Sequence, residues 1–226
     1  MLRAIIFDFN GVLVNDEPLH LLAFQKVLKE EGISIDERDY YARYLGMDDR
    51  GCFRTAYRDR GMRLPDGALE ELIGRKAGHY RKAVTERIPL FPGVKRLIPA
   101  LAAEFPLALA SGALRDEIES ILKRIALKEH FQVIVSAEDV VEGKPNPEIF
   151  LKALSLLNRN RSDSQIRAGE ALIVEDSKEG ILGAGRAGIR CLAVANSHPA
   201  AELTQADAVV KSLEEVSVEF LKSLFS

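Results

Sequence analysis

Ile5-Ile6-Phe7-Asp8-Phe9-Asn10-Gly11-Val12-Leu13-Val14 decides how this chain is read. Behind Arg3, the run to Phe7 is apolar and branched, the pattern of a strand buried on both faces. Asp8 interrupts it. A carboxylate at the end of a buried strand is costly unless it has a partner or a chemical task. Gly11 follows at once and marks a sharp turn. Taken alone, the segment also fits an aspartate that caps the turn after an edge strand, and the rest of the chain decides between the two readings.

Downstream, the apolar period changes to that of helices. Glu17 to Glu31 carries Leu19, Leu22, Ala23, Val27 and Leu28 at helical spacing and is closed by Gly32. Asp36 opens a second helix through Tyr41 and Leu45, Asp48 caps a third that Gly61 stops, and Pro65-Asp66 starts a fourth through Tyr80. From about Leu90 strands and helices alternate: strands at Leu107–Ala110, Gln132–Val135, Ala171–Val174, Arg190–Val194 and Ala208–Val210, with helices between. Such alternation predicts a parallel sheet flanked by helices. The expected fold is α/β, a Rossmann-like parallel-sheet core of residues 1–15 and 90–226, with an inserted α-helical cap of residues 16–89.

Composition bounds the function. The chain has 226 residues and a formal net charge of -3, with no basic block, which argues against a nucleic-acid partner. Cys52 and Cys191 lie far apart and form no CxxC, so neither a disulfide framework nor a zinc site is expected, and a reducing cytoplasm fits. The N-terminus starts with a strand rather than a signal segment, and no apolar run is long enough to span a membrane. A cytoplasmic protein, monomeric or weakly homodimeric, is expected.

In open parallel sheets ligands bind beyond the carboxyl ends of the strands. Asp8 stands at the first such end, Ser111-Gly112 at the second and Glu175-Asp176-Ser177 at another, while Glu142-Gly143-Lys144-Pro145-Asn146-Pro147 opens a helix. Three carboxylates, a hydroxyl and an ammonium on one edge suit a hard divalent cation together with an oxyanion. Mg²⁺ takes oxygen ligands, and Ser111 with the N–H groups of Gly112 and Ala113 at a helix start suits phosphate oxygens. Lys144 offsets negative charge, and Asp8 is placed to attack phosphorus. Singly, Ser111 and Asp176 read as helix caps and Lys144 as a loop lysine; the joint order argues otherwise.

Phe7-Asp8-Phe9-Asn10-Gly11-Val12-Leu13, Leu109-Ala110-Ser111-Gly112, Gly143-Lys144-Pro145 and Val174-Glu175-Asp176-Ser177, with Glu17-Pro18-Leu19-His20, resemble the haloacid dehalogenase superfamily in its β-phosphoglucomutase and sugar-phosphate phosphatase branch. The resemblance spans the whole chain. It implies that Asp8 is the nucleophile, that Asp8, the carbonyl of Asn10 and Asp176 hold Mg²⁺ with Glu175 direct or through water, that Ser111 and Lys144 bind the phosphoryl group, and that His20 sits near the cap hinge facing the active site. The substrate is then a small phosphorylated metabolite.

Position 10 departs from the pattern. The family's phosphatases and mutases carry a second aspartate there as acid and base, and Asn10 keeps the shape without the proton. A general acid or base is worth about 10²- to 10⁴-fold in rate. Asn10 leaves open a slow hydrolase whose leaving group needs little help, one that borrows Asp16 or another nearby group, and a protein that binds phosphorylated ligands with little turnover; a sugar phosphomutase is the alternative enzyme. Cap specificity is assigned to the loop Gly46-Met47-Asp48-Asp49-Arg50, where Arg50 either clamps a remote phosphate or lies on a helix surface. Lys26, Lys29, Lys76 and Lys82 read as surface lysines. Gly183-Ala184-Gly185-Arg186-Ala187-Gly188 matches GxGxxG but sits at a helix end, so it reads as close packing with a glycine C-cap rather than a dinucleotide site.

Overall fold

The computed structural model describes residues 1–45, 47–84, 88–159, 161 and 164–225. Gly46 of the expected recognition loop and the cap residues near Arg87 lie outside the described residues. In chain order the elements are β1 (Ala4–Phe7), α1 (Glu17–Glu30), α2 (Glu37–Arg43), α3 (Asp49–Asp59), α4 (Ala68–Val84), α5 (Val94–Ala102), β2 (Leu107–Ala110) and α6 (Arg115–Arg124). Then follow β3 (Val133–Val135), α7 (Glu148–Asn158), β4 (Ala171–Glu175), α8 (Lys178–Ala187), β5 (Arg190–Val194), β6 (Ala208–Val210) and α9 (Val218–Ser223). The chain divides into two compact units, Met1–Val14 with Leu90–Ser226, and Asn15–Pro89.

The first unit is built on a parallel six-stranded sheet of order β3-β2-β1-β4-β5-β6. β1, β2 and β4 are buried on both faces, as their unbroken apolar runs require. On one face Ala4, Ile6, Ala108, Ala110, Ala171 and Ile173 pack in one cluster with Ile149, Phe150 and Ala153 of α7 and Ile181 and Ala184 of α8. The small residues on the strands let the helices come close. Gly183 serves the same end: a Cβ there would lie 3.1 Å from the Phe150 ring. Gly188, with φ +68°, is the left-handed C-cap of α8. The GxGxxG match is thus a packing feature.

The strand order places the topological switch point between β1 and β4, the crevice where open α/β sheets bind ligands. Phe7 pairs with both Leu109 and Val174, so Asp8, Ser111 and Glu175 emerge on the same edge. The second unit consists of α1 to α4, with α1 and α3 packed on α4. Phe24 and Phe53 meet edge-on with centroids 5.2 Å apart. The fourth helix begins at Ala68 rather than at Pro65-Asp66, because Gly67 holds φ +79°, which a helix cannot contain. Lys76 is not a surface lysine. It is fully buried, paired with Asp49 at 2.9 Å and stacked against Phe24 and Tyr80.

Candidate active site

Asp8 leaves β1 with its N–H donating to the Val174 carbonyl at 2.9 Å, which ties it to β4. Its Oδ1 lies 2.8 Å from Lys144 Nζ, and the same ammonium reaches Glu175 Oε1 at 2.5 Å. Lys144 is held over the Phe150 ring at 5.2 Å. Burial pushes the Asp8 carboxyl up to about 7; the Lys144 charge opposes this and Glu175 adds to it. For Lys144 burial disfavours the charge, but the Asp8 and Glu175 carboxylates outweigh it and push the ammonium upward. It is a fixed cation.

Glu175 ends β4 fully buried and is surrounded by donors. Its Oε2 accepts from the N–H of Asp176 (2.8 Å), the N–H of Ser177 (3.0 Å) and the Ser177 hydroxyl (2.9 Å). Ser177 in turn N-caps α8, accepting from the Gly180 N–H at 3.0 Å. A Cβ on Gly180 would sit 1.9 Å from the Glu175 carboxylate, so only glycine lets α8 start here. Glu175 therefore fixes the strand-to-helix turn that carries Asp176, as well as one side of Lys144.

The loop after β1 meets Asp176 as closely. Gly11 has φ +77°, and a Cβ on it would lie 1.9 Å from Asp176 Oδ2. The Ser197 hydroxyl donates to Asp176 Oδ2, and Asn196 Nδ2 donates to the Gly11 carbonyl at 2.7 Å. Asn196 and Ser197 follow β5, so a third strand end braces both sides of the acidic edge. Neither stands out in the sequence. Their one visible signal was position, since polar residues directly after a parallel strand face this edge.

Ser111 is buried after β2. Its hydroxyl donates to Asn10 Oδ1 at 3.4 Å and accepts from the Ala113 N–H at 3.2 Å. Gly112 is exposed beside it. One oxygen from each of Asp8, Glu175 and Asp176 lies within 4.8 Å of the others, all three residues buried. Three hard oxygen donors around a cradle that leaves no room for a Cβ at Gly11 fit a small divalent cation.

His20 and Arg50 belong to the helical unit. His20 is buried, with Nε2 3.2 Å from Asp16 Oδ2 and Nδ1 2.6 Å from Lys76 Nζ, and it stacks on Tyr80. Tyr80 also donates to Asp16. Arg50 lies on the surface of α3, paired at 2.9 Å with Glu70, as a helix-surface arginine would.

A doubly wound parallel sheet, a helical insertion after its first strand and buried carboxylates with a lysine at the switch point define an α/β core with a charged site at the carboxyl edge of its sheet. The chain belongs to the haloacid dehalogenase-like hydrolase family, which its residues 5–194 match. It is 28% identical to validoxylamine A 7'-phosphate phosphatase of Streptomyces hygroscopicus subsp. limoneus, over 96% of each chain. It is 28% identical to β-phosphoglucomutase of Bacillus subtilis, over 97% of this chain and 94% of that one. Among solved structures it is similar to an aspartate-to-asparagine mutant of CbbY from Rhodobacter sphaeroides in complex with xylulose-(1,5)bisphosphate. That similarity is 26% identity over 96% of this chain and 97% of that one, with a TM-score of 0.84. Among the described residues no helix is long and apolar enough to cross a membrane.

Proposed function

We propose that the chain is a Mg²⁺-dependent phosphatase of a small phosphorylated metabolite, acting through a phosphoryl group carried on Asp8. The observation behind this is the pairing of the Asp8 carboxylate with Lys144 at 2.8 Å, beside Glu175 and Asp176 at the β1/β4 switch point. Asp8, Asp176 and the carbonyl of Asn10, with Glu175, would hold the cation, which supplies charge neutralisation at the phosphoryl oxygens. Ser111, the N–H groups of Gly112 and Ala113, and Lys144 bind and orient the phosphoryl group. An Asp8 oxygen then bonds to phosphorus as the leaving group departs, and water releases phosphate in a second step. The related phosphatase supports this reading.

Asn10 favours a second reading, a protein that binds phosphorylated ligands and turns them over little, and the CbbY mutant seen with a bisphosphate bound is in keeping with it. The β-phosphoglucomutase relative keeps a phosphomutase in view, marked by isomerised product and need for a bisphosphate activator. Phosphate release from a panel of small phosphoesters, with and without Mg²⁺, tests the proposal. Saturable, Mg²⁺-dependent release that Asp8→Asn abolishes is expected. Tight ligand binding with no release would favour the second reading.

A further inference from the structure

We infer that Glu138 is a positioning residue of the phosphate loop: with Asp139 and Arg115 it clasps the segment Ser111–Leu114 from the neighbouring strand end. The inference rests on the phosphatase reading and adds a residue to the same site.

Ser111, Gly112 and Ala113 lie between the end of β2 and the start of α6. Leu114, the residue before α6, brings no capping side chain, so the first N–H groups of that helix need partners from elsewhere. The turn Ala137–Asp139 after β3 supplies one. Glu138 Oε2 accepts from the Arg115 N–H at 2.8 Å. The Arg115 guanidinium returns across the same gap, donating to Asp139 Oδ2 and to the Ile134 carbonyl at 3.1 Å. Asp139 Oδ2 is itself held by the Ser136 N–H at 2.8 Å and the Ser136 hydroxyl at 3.0 Å.

The backbone is pinned along the same line. The Ser111 N–H donates to the Val135 carbonyl at 3.0 Å, and the Ala137 N–H donates to the Ala113 carbonyl at 3.1 Å. The second bond fixes the plane of the Ala113–Leu114 peptide. The loop is therefore tied at both ends to β3 and its turn, with Ser111 at one end and Arg115 at the other. Placement of this kind matters for binding and catalysis, since a misplacement of about 1 Å can cost about 10²-fold. Glu138 acts here as an acceptor of fixed reach. Its negative charge on an edge that takes phosphate opposes the anion, so geometry and charge pull in opposite directions and substitution separates them.

The test measures the affinity for inorganic phosphate with Mg²⁺ by calorimetry, in this chain and in Glu138→Ala, Glu138→Asp and Glu138→Gln. The alanine change is repeated in a Ser111→Ala background, and urea unfolding confirms that each variant is folded at the assay temperature. Glutamine keeps an oxygen within reach of the Arg115 N–H, aspartate keeps the charge one carbon short, and alanine keeps neither. Glu138→Ala and Glu138→Asp are expected to weaken phosphate binding at least about tenfold, and Glu138→Gln to stay within about threefold of the parent. In the Ser111→Ala background the alanine change should cost less than about threefold, because its effect passes through the loop that carries Ser111. Phosphate affinity in Glu138→Ala equal to the parent's, an equal loss in both serine backgrounds, or a glutamine variant as weak as the alanine would each overturn the clasp and leave the phosphatase reading standing. A parent that binds no phosphate with Mg²⁺ would remove that reading, and the clasp with it.

Discussion

Gly11 and Asp176 approach so closely that a Cβ on Gly11 would stand 1.9 Å from Asp176 Oδ2. The contact joins the loop after β1 to the turn after β4, and at φ +77° the backbone also favours glycine. Gly11→Ala therefore meets two obstacles. A left-handed alanine costs roughly 1–2 kcal/mol, and Asp176 must move from the carboxylate cluster. Urea unfolding should show a loss of at least about 1 kcal/mol, and Mg²⁺ titration by calorimetry a clear weakening. Unchanged Mg²⁺ affinity would place Asp176 outside the cation site.

Ser197 gives a milder form of the same experiment. Its hydroxyl orients Asp176 without being a proposed ligand. Partners of ligating groups are worth about 10- to 100-fold in metal affinity, so Ser197→Ala should weaken Mg²⁺ binding in that range. Stability should change by only about 0.5–1.5 kcal/mol. Equal affinity in variant and parent would make the contact incidental.

Lys144 separates charge from shape. Lys144→Met keeps most of the stem over Phe150 but leaves Asp8 and Glu175 facing each other without a cation. Breaking a buried pair on one side typically costs about 3–5 kcal/mol. The variant should unfold at lower urea, and Mg²⁺ should stabilise it more than it stabilises the parent, because the ion replaces part of the lost charge. A variant as stable as the parent would contradict the ion-pair assignment.

Much of this site was legible because it sits where chemistry interrupts pattern. Asp8 and Glu175 break apolar runs at strand ends, and the alternation from Leu90 onward requires a parallel sheet. The order of the strands was not legible, since every order buries the same apolar runs; only the pairing of Phe7 with Leu109 and Val174 sets Asp8 beside Glu175. The charge of Lys76 points to a surface position, whereas its spacing points inward. Lys76 follows Leu72 and Ile73 and precedes Tyr80 at helical spacing, so it lies on the buried stripe of α4. Gly67 hid the true start of α4, since its positive φ cannot be told from sequence apart from an ordinary first-turn glycine. Ser197 and Asn196 act through contacts between loops of distant sequence, which no local pattern carries.

The most direct test of the account is the covalent one. The protein is mixed with acetyl phosphate and Mg²⁺, quenched in acid and digested, and the peptides are weighed by mass spectrometry. A phosphoryl adduct is expected on the peptide containing Asp8, absent from Asp8→Asn and longer-lived in this chain than in Asn10→Asp. Phosphate release that persists in Asp8→Asn, with no adduct on that peptide in the parent, would contradict it.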